Sequence, residues 1–72
     1  MVQKPDAPVS AVMEIVKTFR GVATRGMPPG WRVMFNDSSD EQNATTLINM
    51  LQGWEAVSHP NVRNTIRIRQ AS

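Results

Sequence analysis

The sequence contains no cysteine and no tyrosine, and it has a single histidine among its 72 residues. Without cysteine there can be no disulfide or thiolate metal site, and one histidine is too few for a histidine-based zinc site. We therefore expect no metal and no cofactor. Below about 70–80 residues a single core rarely supplies more than a few kcal/mol of stability. Self-association is the remaining aid, so we expect a homo-oligomer.

Long apolar runs are also missing. No stretch approaches the roughly 18 apolar residues of a membrane-spanning helix, and the polar start MVQKPDAP lacks the apolar segment of a secretory signal. We expect a cytoplasmic protein with no membrane segment. Residues 1–6 are predicted to be a flexible leader, and residues 7–72 are predicted to form one domain.

The residues for catalysis are sparse. The glycines fit neither phosphate-loop nor dinucleotide-binding spacing. His59 precedes a proline in a predicted turn, where an exposed histidine needs no catalytic explanation. The clustered carboxylates Asp37, Asp40 and Glu41 lie at a predicted helix start, where capping and the helix dipole favour acidic residues. We predict a protein with no catalytic residue and no small-molecule substrate.

The first predicted helix begins at Asp6 as its N-cap and ends near Gly21 or Gly26. Its apolar residues recur at helical spacing: Val9, Val12, Met13, Val16, Phe19 and Ala23. Ile15 and Val22 widen this arc to about half the circumference, more than the roughly 100° that one packing contact needs. The surplus predicts a second packing partner, with an interface formed by Ile15, Phe19 and Val22.

The middle of the chain predicts a strand followed by a second helix. Trp31–Phe35 alternates apolar and polar residues with the period of a half-buried strand. Two overlapping capping boxes mark the start of the helix, namely Ser38 with Glu41 and Ser39 with Gln42. Gly53 is the expected C-terminal cap. The apolar stripe of this helix consists of Ala44, Leu47, Ile48, Leu51 and Trp54.

The clearest pattern is an amphipathic strand over Val62–Gln70. Its core face consists of Val62, Ile66 and Ile68, and its polar face of Arg63, Thr65, Arg67 and Arg69. Residues 54–58 could extend the helix, form a loop or pair with this strand, and we expect a helix end and loop. The two strands would then be parallel neighbours joined by a crossover, whereas a strand at 54–58 would make a C-terminal antiparallel hairpin.

These elements predict a small α+β domain in the order helix, strand, helix, strand, with the helices on one face of a small sheet. The opposite face would then collect four arginines with no acid among them: Arg32, Arg63, Arg67 and Arg69. Guanidinium groups donate pairs of hydrogen bonds to phosphate or carboxylate, although this predicted face has no aromatic residue on which bases could stack.

We predict a small non-enzymatic binding or regulatory protein whose arginine face contacts nucleic acid or an acidic protein surface. The alternative is a protein interaction module, such as a small inhibitor or an assembly subunit that acts on a larger protein without nucleic acid. The broad apolar arc of the first helix, the five methionines and the two tryptophans favour this alternative.

Overall fold

A computed structural model describes residues 5–24 and 30–71. In these ranges the chain forms two helices and four strands: α1 (Val9–Thr18), β1 (Val22–Thr24), β2 (Gly30–Met34), α2 (Ser38–Asn49), β3 (Trp54–Ser58) and β4 (Thr65–Gln70). The predicted α+β class is confirmed. Neither helix is long and apolar enough to cross a membrane. The predicted leader falls mostly on residues 1–4, outside the described residues.

The four strands form one antiparallel sheet in the order β1-β2-β4-β3. β2 and β3 both run antiparallel to β4, so they are parallel to each other with β4 inserted between them. Helix α2 joins β2 to β3 and thereby crosses over the position of β4. The expectation of two parallel neighbours was wrong, because 54–58 forms a strand. The alternative, a C-terminal antiparallel hairpin, is confirmed.

Helix α1 is shorter than its apolar pattern predicts. It begins after Pro8, which occupies the N-cap position without a side-chain cap, so Asp6 is not the N-cap. At the other end Arg20 adopts a left-handed backbone conformation with φ of 59°. The Gly21 N–H then donates to the Val16 carbonyl at 2.8 Å, which closes a Schellman motif. The helix therefore ends near Gly21, one of its two predicted ends, whereas the prediction that Val22 and Ala23 belong to its apolar arc was wrong.

Gly21 determines where the chain leaves α1 for the sheet. A Cβ atom at this position would lie 2.7 Å from side-chain atoms of Val33 and Phe35 and 2.9 Å from Val16. These distances are shorter than van der Waals contact, so only glycine lets the backbone come this close to β2. The chain therefore turns at Gly21 and begins β1 directly.

The N-cap of helix α2 lies one residue before Ser38, the earlier of the two predicted caps. Asp37 is the N-cap, with extended backbone (φ −149°), and its Oδ1 accepts from the Asp40 N–H at 2.8 Å. The capping boxes predicted at Ser38 and Ser39 were wrong, because Ser38 is already helical. The helix ends at Asn49, and Gly53, with φ of 85°, lies in the turn that leads into β3.

Both helices pack against the same face of the sheet, which we call the inner face. Ten buried apolar residues form one core cluster: Val12, Val16, Val33, Phe35, Ala44, Ile48, Trp54, Ala56, Ile66 and Ile68. The segment before α1 is attached to this core, because the Trp54 indole N–H donates to the Ala7 carbonyl at 2.7 Å. The inner face therefore explains the folding of the domain, and the other face is left uncovered by either helix.

Candidate binding surface

The face of the sheet that points away from the helices, which we call the outer face, carries three of the four predicted arginines. Arg67 and Arg69 alternate along β4 with the buried Ile66 and Ile68. Arg32 on β2 lies directly opposite Arg67 in the antiparallel register, so the two side chains share this face. Each of the three arginines is exposed. Two adjacent central strands thus present neighbouring guanidinium groups to solvent.

Arg63, the fourth predicted arginine, does not lie on the sheet. Strand β4 begins at Thr65, and Asn64 interrupts the extended backbone with a left-handed conformation (φ 56°). Arg63 therefore lies in the turn between β3 and β4, where it is exposed. The same turn displaces Val62, which is 42% exposed, so the predicted strand start and the core role of Val62 were both wrong.

The outer face also contains an acidic residue that the sequence pattern did not predict. Because residues 54–58 form a strand, Glu55 lies opposite Arg69 in the register of β3 and β4. The Arg69 Nε donates to the Glu55 Oε2 at 2.9 Å. The predicted absence of acid was therefore wrong. Three arginines and one carboxylate leave this part of the surface with a net charge of +2.

Apolar side chains lie among these charges. Val22 on β1 is 65% exposed, Met34 on β2 is 46% exposed and Val57 on β3 is 49% exposed. Val22 is the register partner of Met34, and Val57 is the partner of Arg67, so all three project from the outer face. The surface is therefore a mixture of guanidinium and apolar groups, and no lysine lies on the described part of the outer face.

The interface predicted from the first helix is not assembled. Ile15 and Phe19 are partly buried and pack against the core from the helical side of the sheet. Val22 lies on β1 and projects from the outer face instead, because the chain turns at Gly21. The three residues therefore do not share one surface. Only Val22 lies beside the arginines.

Both edges of the sheet are protected against strand pairing. On β3, the Asn49 side chain donates from Nδ2 to the Ala56 carbonyl at 3.0 Å and accepts from the Ala56 N–H at 2.8 Å. This amide occupies both backbone groups of Ala56, at the middle of the edge that a neighbouring strand would pair with. β1 is protected by its length of three residues. These two features disfavour the addition of a further strand at either edge.

An open cleft of about 660 Å³ lies between the start of α2 and the β3–β4 turn, and three of its side chains make local hydrogen bonds. Asp37 caps α2, and the Glu41 Oε2 accepts from the Ser58 hydroxyl at 2.6 Å. His59 Nδ1 accepts from the Asn61 N–H at 3.2 Å. Within residues 5–24 and 30–71 no group of three metal-ligating side chains comes together. We therefore assign these residues to helix capping and turn formation.

The chain matches no known family model, no curated protein and no solved structure. A functional proposal must therefore come from the outer face and the groups that it presents. Sequence reasoning identified Arg32, Arg67 and Arg69 but not Glu55 or Val57. The alternation of buried and exposed residues from Trp54 to Val57 could have placed Glu55 and Val57 on a strand. The helical spacing of apolar residues in α2 continues to Trp54, however, and favoured a helix end there.

Proposed function

We propose that this chain is a small non-enzymatic binding protein whose outer face docks onto an acidic surface of a larger protein in the cytoplasm. The observation that carries the proposal is the mixture of exposed arginine with exposed valine and methionine on the sheet face that neither helix covers. Protein interfaces are enriched in arginine and methionine and depleted of lysine. We expect no small-molecule substrate.

Arg67 is the central residue of the proposed interface. It lies on an inner strand between Arg32 on one side and Val57 on the other. In the described part of the chain its guanidinium has no hydrogen-bond partner, whereas that of Arg69 is paired with Glu55. A guanidinium can bind a carboxylate through two parallel hydrogen bonds. The neighbouring Val57 supplies an apolar contact that excludes water from such a pair.

The second candidate function is nucleic-acid binding through the same surface. Arg32 and Arg67 lie directly opposite each other on the adjacent strands β2 and β4. Neighbouring guanidinium groups of this kind can bind adjacent phosphates. Two features disfavour it. The aromatic side chains Phe19, Trp31, Phe35 and Trp54 all belong to or pack against the core, so none is available for base stacking. Glu55 also places a negative charge where a phosphate chain would pass.

The experiment that separates these candidates is affinity capture from nuclease-treated extract of the native cell. The matched variants are Arg67→Glu, on the outer face, and Arg63→Glu, in the exposed β3–β4 turn. We expect wild type and Arg63→Glu to retain the same protein partner and Arg67→Glu to lose it. Capture that disappears with nuclease, or that both variants lose equally, would contradict the proposed interface.

The homo-oligomer predicted from chain length stays a prediction, and sedimentation equilibrium of the purified protein tests it. A dimer formed through two outer faces would bring their arginine groups together, which is electrostatically unfavourable. We therefore assign the outer face to a different protein. A concentration-dependent dimer that Arg67→Glu strengthens would instead identify a second copy as the occupant.

A further inference from the structure

The ion pair between Glu55 and Arg69 lies inside the arginine cluster of the outer face. Arg67 precedes Arg69 by two residues on β4, so Glu55 is the direct cross-strand neighbour of Arg69 and the diagonal neighbour of Arg67. Diagonal neighbours in an antiparallel pair are about 7–8 Å apart. This distance is within the Debye length of about 8 Å at physiological ionic strength. The single carboxylate therefore acts on two of the three arginines.

This ion pair contributes little to the fold. The side chains of Arg69 and Glu55 are 64% and 37% exposed, and exposed ion pairs are weak because water and salt screen them. The β3–β4 register is held by backbone hydrogen bonds that extend beyond the strand ends, such as that from the His59 N–H to the Thr65 carbonyl at 2.8 Å. The position of Glu55 therefore matters chiefly for what the outer face can bind.

We infer that Glu55 is a specificity-determining residue, which turns the outer face away from phosphate chains and toward a protein partner with carboxylates at particular positions. The inference rests on the proposed function. A phosphate chain carries negative charge along its whole length, so the Glu55 carboxylate would repel it. Arg69 would also have to leave its ion pair with Glu55 to bind a phosphate. A protein surface can instead place a carboxylate at Arg67 and an uncharged group over Glu55.

Removing the carboxylate should convert the outer face into a stronger binder of nucleic acid. The test uses Glu55→Gln and a short fluorescein-labelled DNA duplex, with fluorescence anisotropy as the measurement. One additional phosphate contact steepens the slope of log K against log salt by about 0.9, which corresponds to about tenfold tighter binding near 50 mM salt. We expect both changes in Glu55→Gln and a return to wild-type binding in the double variant Glu55→Gln with Arg69→Gln.

Glu14→Gln is the matched control, because Glu14 is exposed on α1, a helix that covers the inner face. It removes the same charge from the chain without changing the outer face. Equal tightening in Glu14→Gln and Glu55→Gln would overturn the inference, because net charge alone would then explain it. Far-UV circular dichroism checks that each variant is folded, and Glu55→Ala repeats the test with a side chain that cannot bond Arg69.

The wild-type measurement distinguishes this inference from the proposal on which it rests. Weak DNA binding by wild type with no tightening in folded Glu55→Gln or Glu55→Ala would overturn the role of Glu55 and leave the protein-binding proposal intact. Wild-type binding as tight and as salt-dependent as that of Glu55→Gln would overturn both. Weak binding by wild type and the predicted tightening in Glu55→Gln alone would support the inference.

Discussion

Strand β4 presents two different surfaces through alternate residues. Ile66 and Ile68 point to the inner face and are fully buried, whereas Arg67 and Arg69 between them point to the outer face and are exposed. The inner face is constrained by packing against two helices. The outer face contributes little to the core, so folding does not require arginine, methionine and valine there. The difference assigns stability to the inner face and leaves the outer face for the partner recognition that we propose.

The largest expected effect distinguishes adjacent residues of β4. Ile66→Ala should lower the free energy of unfolding by about 2–5 kcal/mol, because it leaves a cavity in the core cluster. Arg67→Ala should change it by no more than about 0.5 kcal/mol, since its side chain is exposed. Urea denaturation measures both. Ile66→Val, with an expected loss of about 0.5–1.5 kcal/mol, keeps the comparison measurable if Ile66→Ala does not fold. Equal losses for Ile66→Ala and Arg67→Ala would contradict the division between faces.

The close approach of α1 to the inner face predicts the next largest effect. Gly21→Ala should destabilise the domain by about 1–3 kcal/mol, because the added Cβ would press on Val33 and Phe35. Ser10→Ala, at an exposed position of α1, is the control and should stay within about 0.5 kcal/mol of wild type. A Gly21→Ala protein with unchanged thermal unfolding would show that α1 does not pack this tightly against β2.

The edge strand β3 should lose its side-chain protection when Asn49 is replaced. Asn49→Ala should cost about 1–3 kcal/mol, because it leaves both backbone groups of Ala56 without their present partner. The exposed edge of β3 should also increase aggregation, which light scattering during heating would detect. Asn43→Ala makes the same substitution at an exposed position of α2 and should do neither. Similar scattering from both variants would remove the protective role of Asn49.

The smallest expected effect concerns the start of α2, the helix that covers the inner face beside β3. Asp37→Ala should destabilise the domain by about 1 kcal/mol, since the Asp40 N–H loses its acceptor. Ser38→Ala should change stability by less than about 0.5 kcal/mol because Ser38 lies within the helix. Differential scanning calorimetry would compare them. A larger loss of stability in Ser38→Ala than in Asp37→Ala would instead support the capping box predicted from the sequence.

The sequence predicted the parts of the fold in which periodicity alone decides the outcome. The alternation at Trp31–Phe35 and at residues 65–70 identified both central strands and their buried faces. The sequence-based prediction failed where a residue other than glycine adopts the left-handed backbone conformation. Arg20 and Asn64 both have positive φ, and these positions end α1 and delay β4. The turn at Arg20 removes Val22 from the interface predicted on the first helix, and the turn at Asn64 removes Arg63 from the sheet face.

The candidate site was only partly predictable, because it depends on which strands pair. Arg32 and Arg67 were assigned to one face by alternation, but their direct opposition follows from the β2–β4 register. Glu55 could not be placed while residues 54–58 were interpreted as a helix end. The helical stripe continued to Trp54 in the sequence, whereas the turn at Gly53 redirects Trp54 into the sheet. Tertiary pairing decided between two local patterns of similar strength.

The central claim, that the outer face binds a protein partner, is tested most directly by site-specific photo-crosslinking in the native cell. A photoreactive amino acid would replace either Met34, on the outer face, or Leu47, which has similar exposure on α2. We predict a discrete nuclease-resistant protein adduct from position 34, its loss when Arg67→Glu is added, and no such adduct from position 47. The same adduct from both positions, or an adduct at position 34 that nuclease removes, would contradict the account.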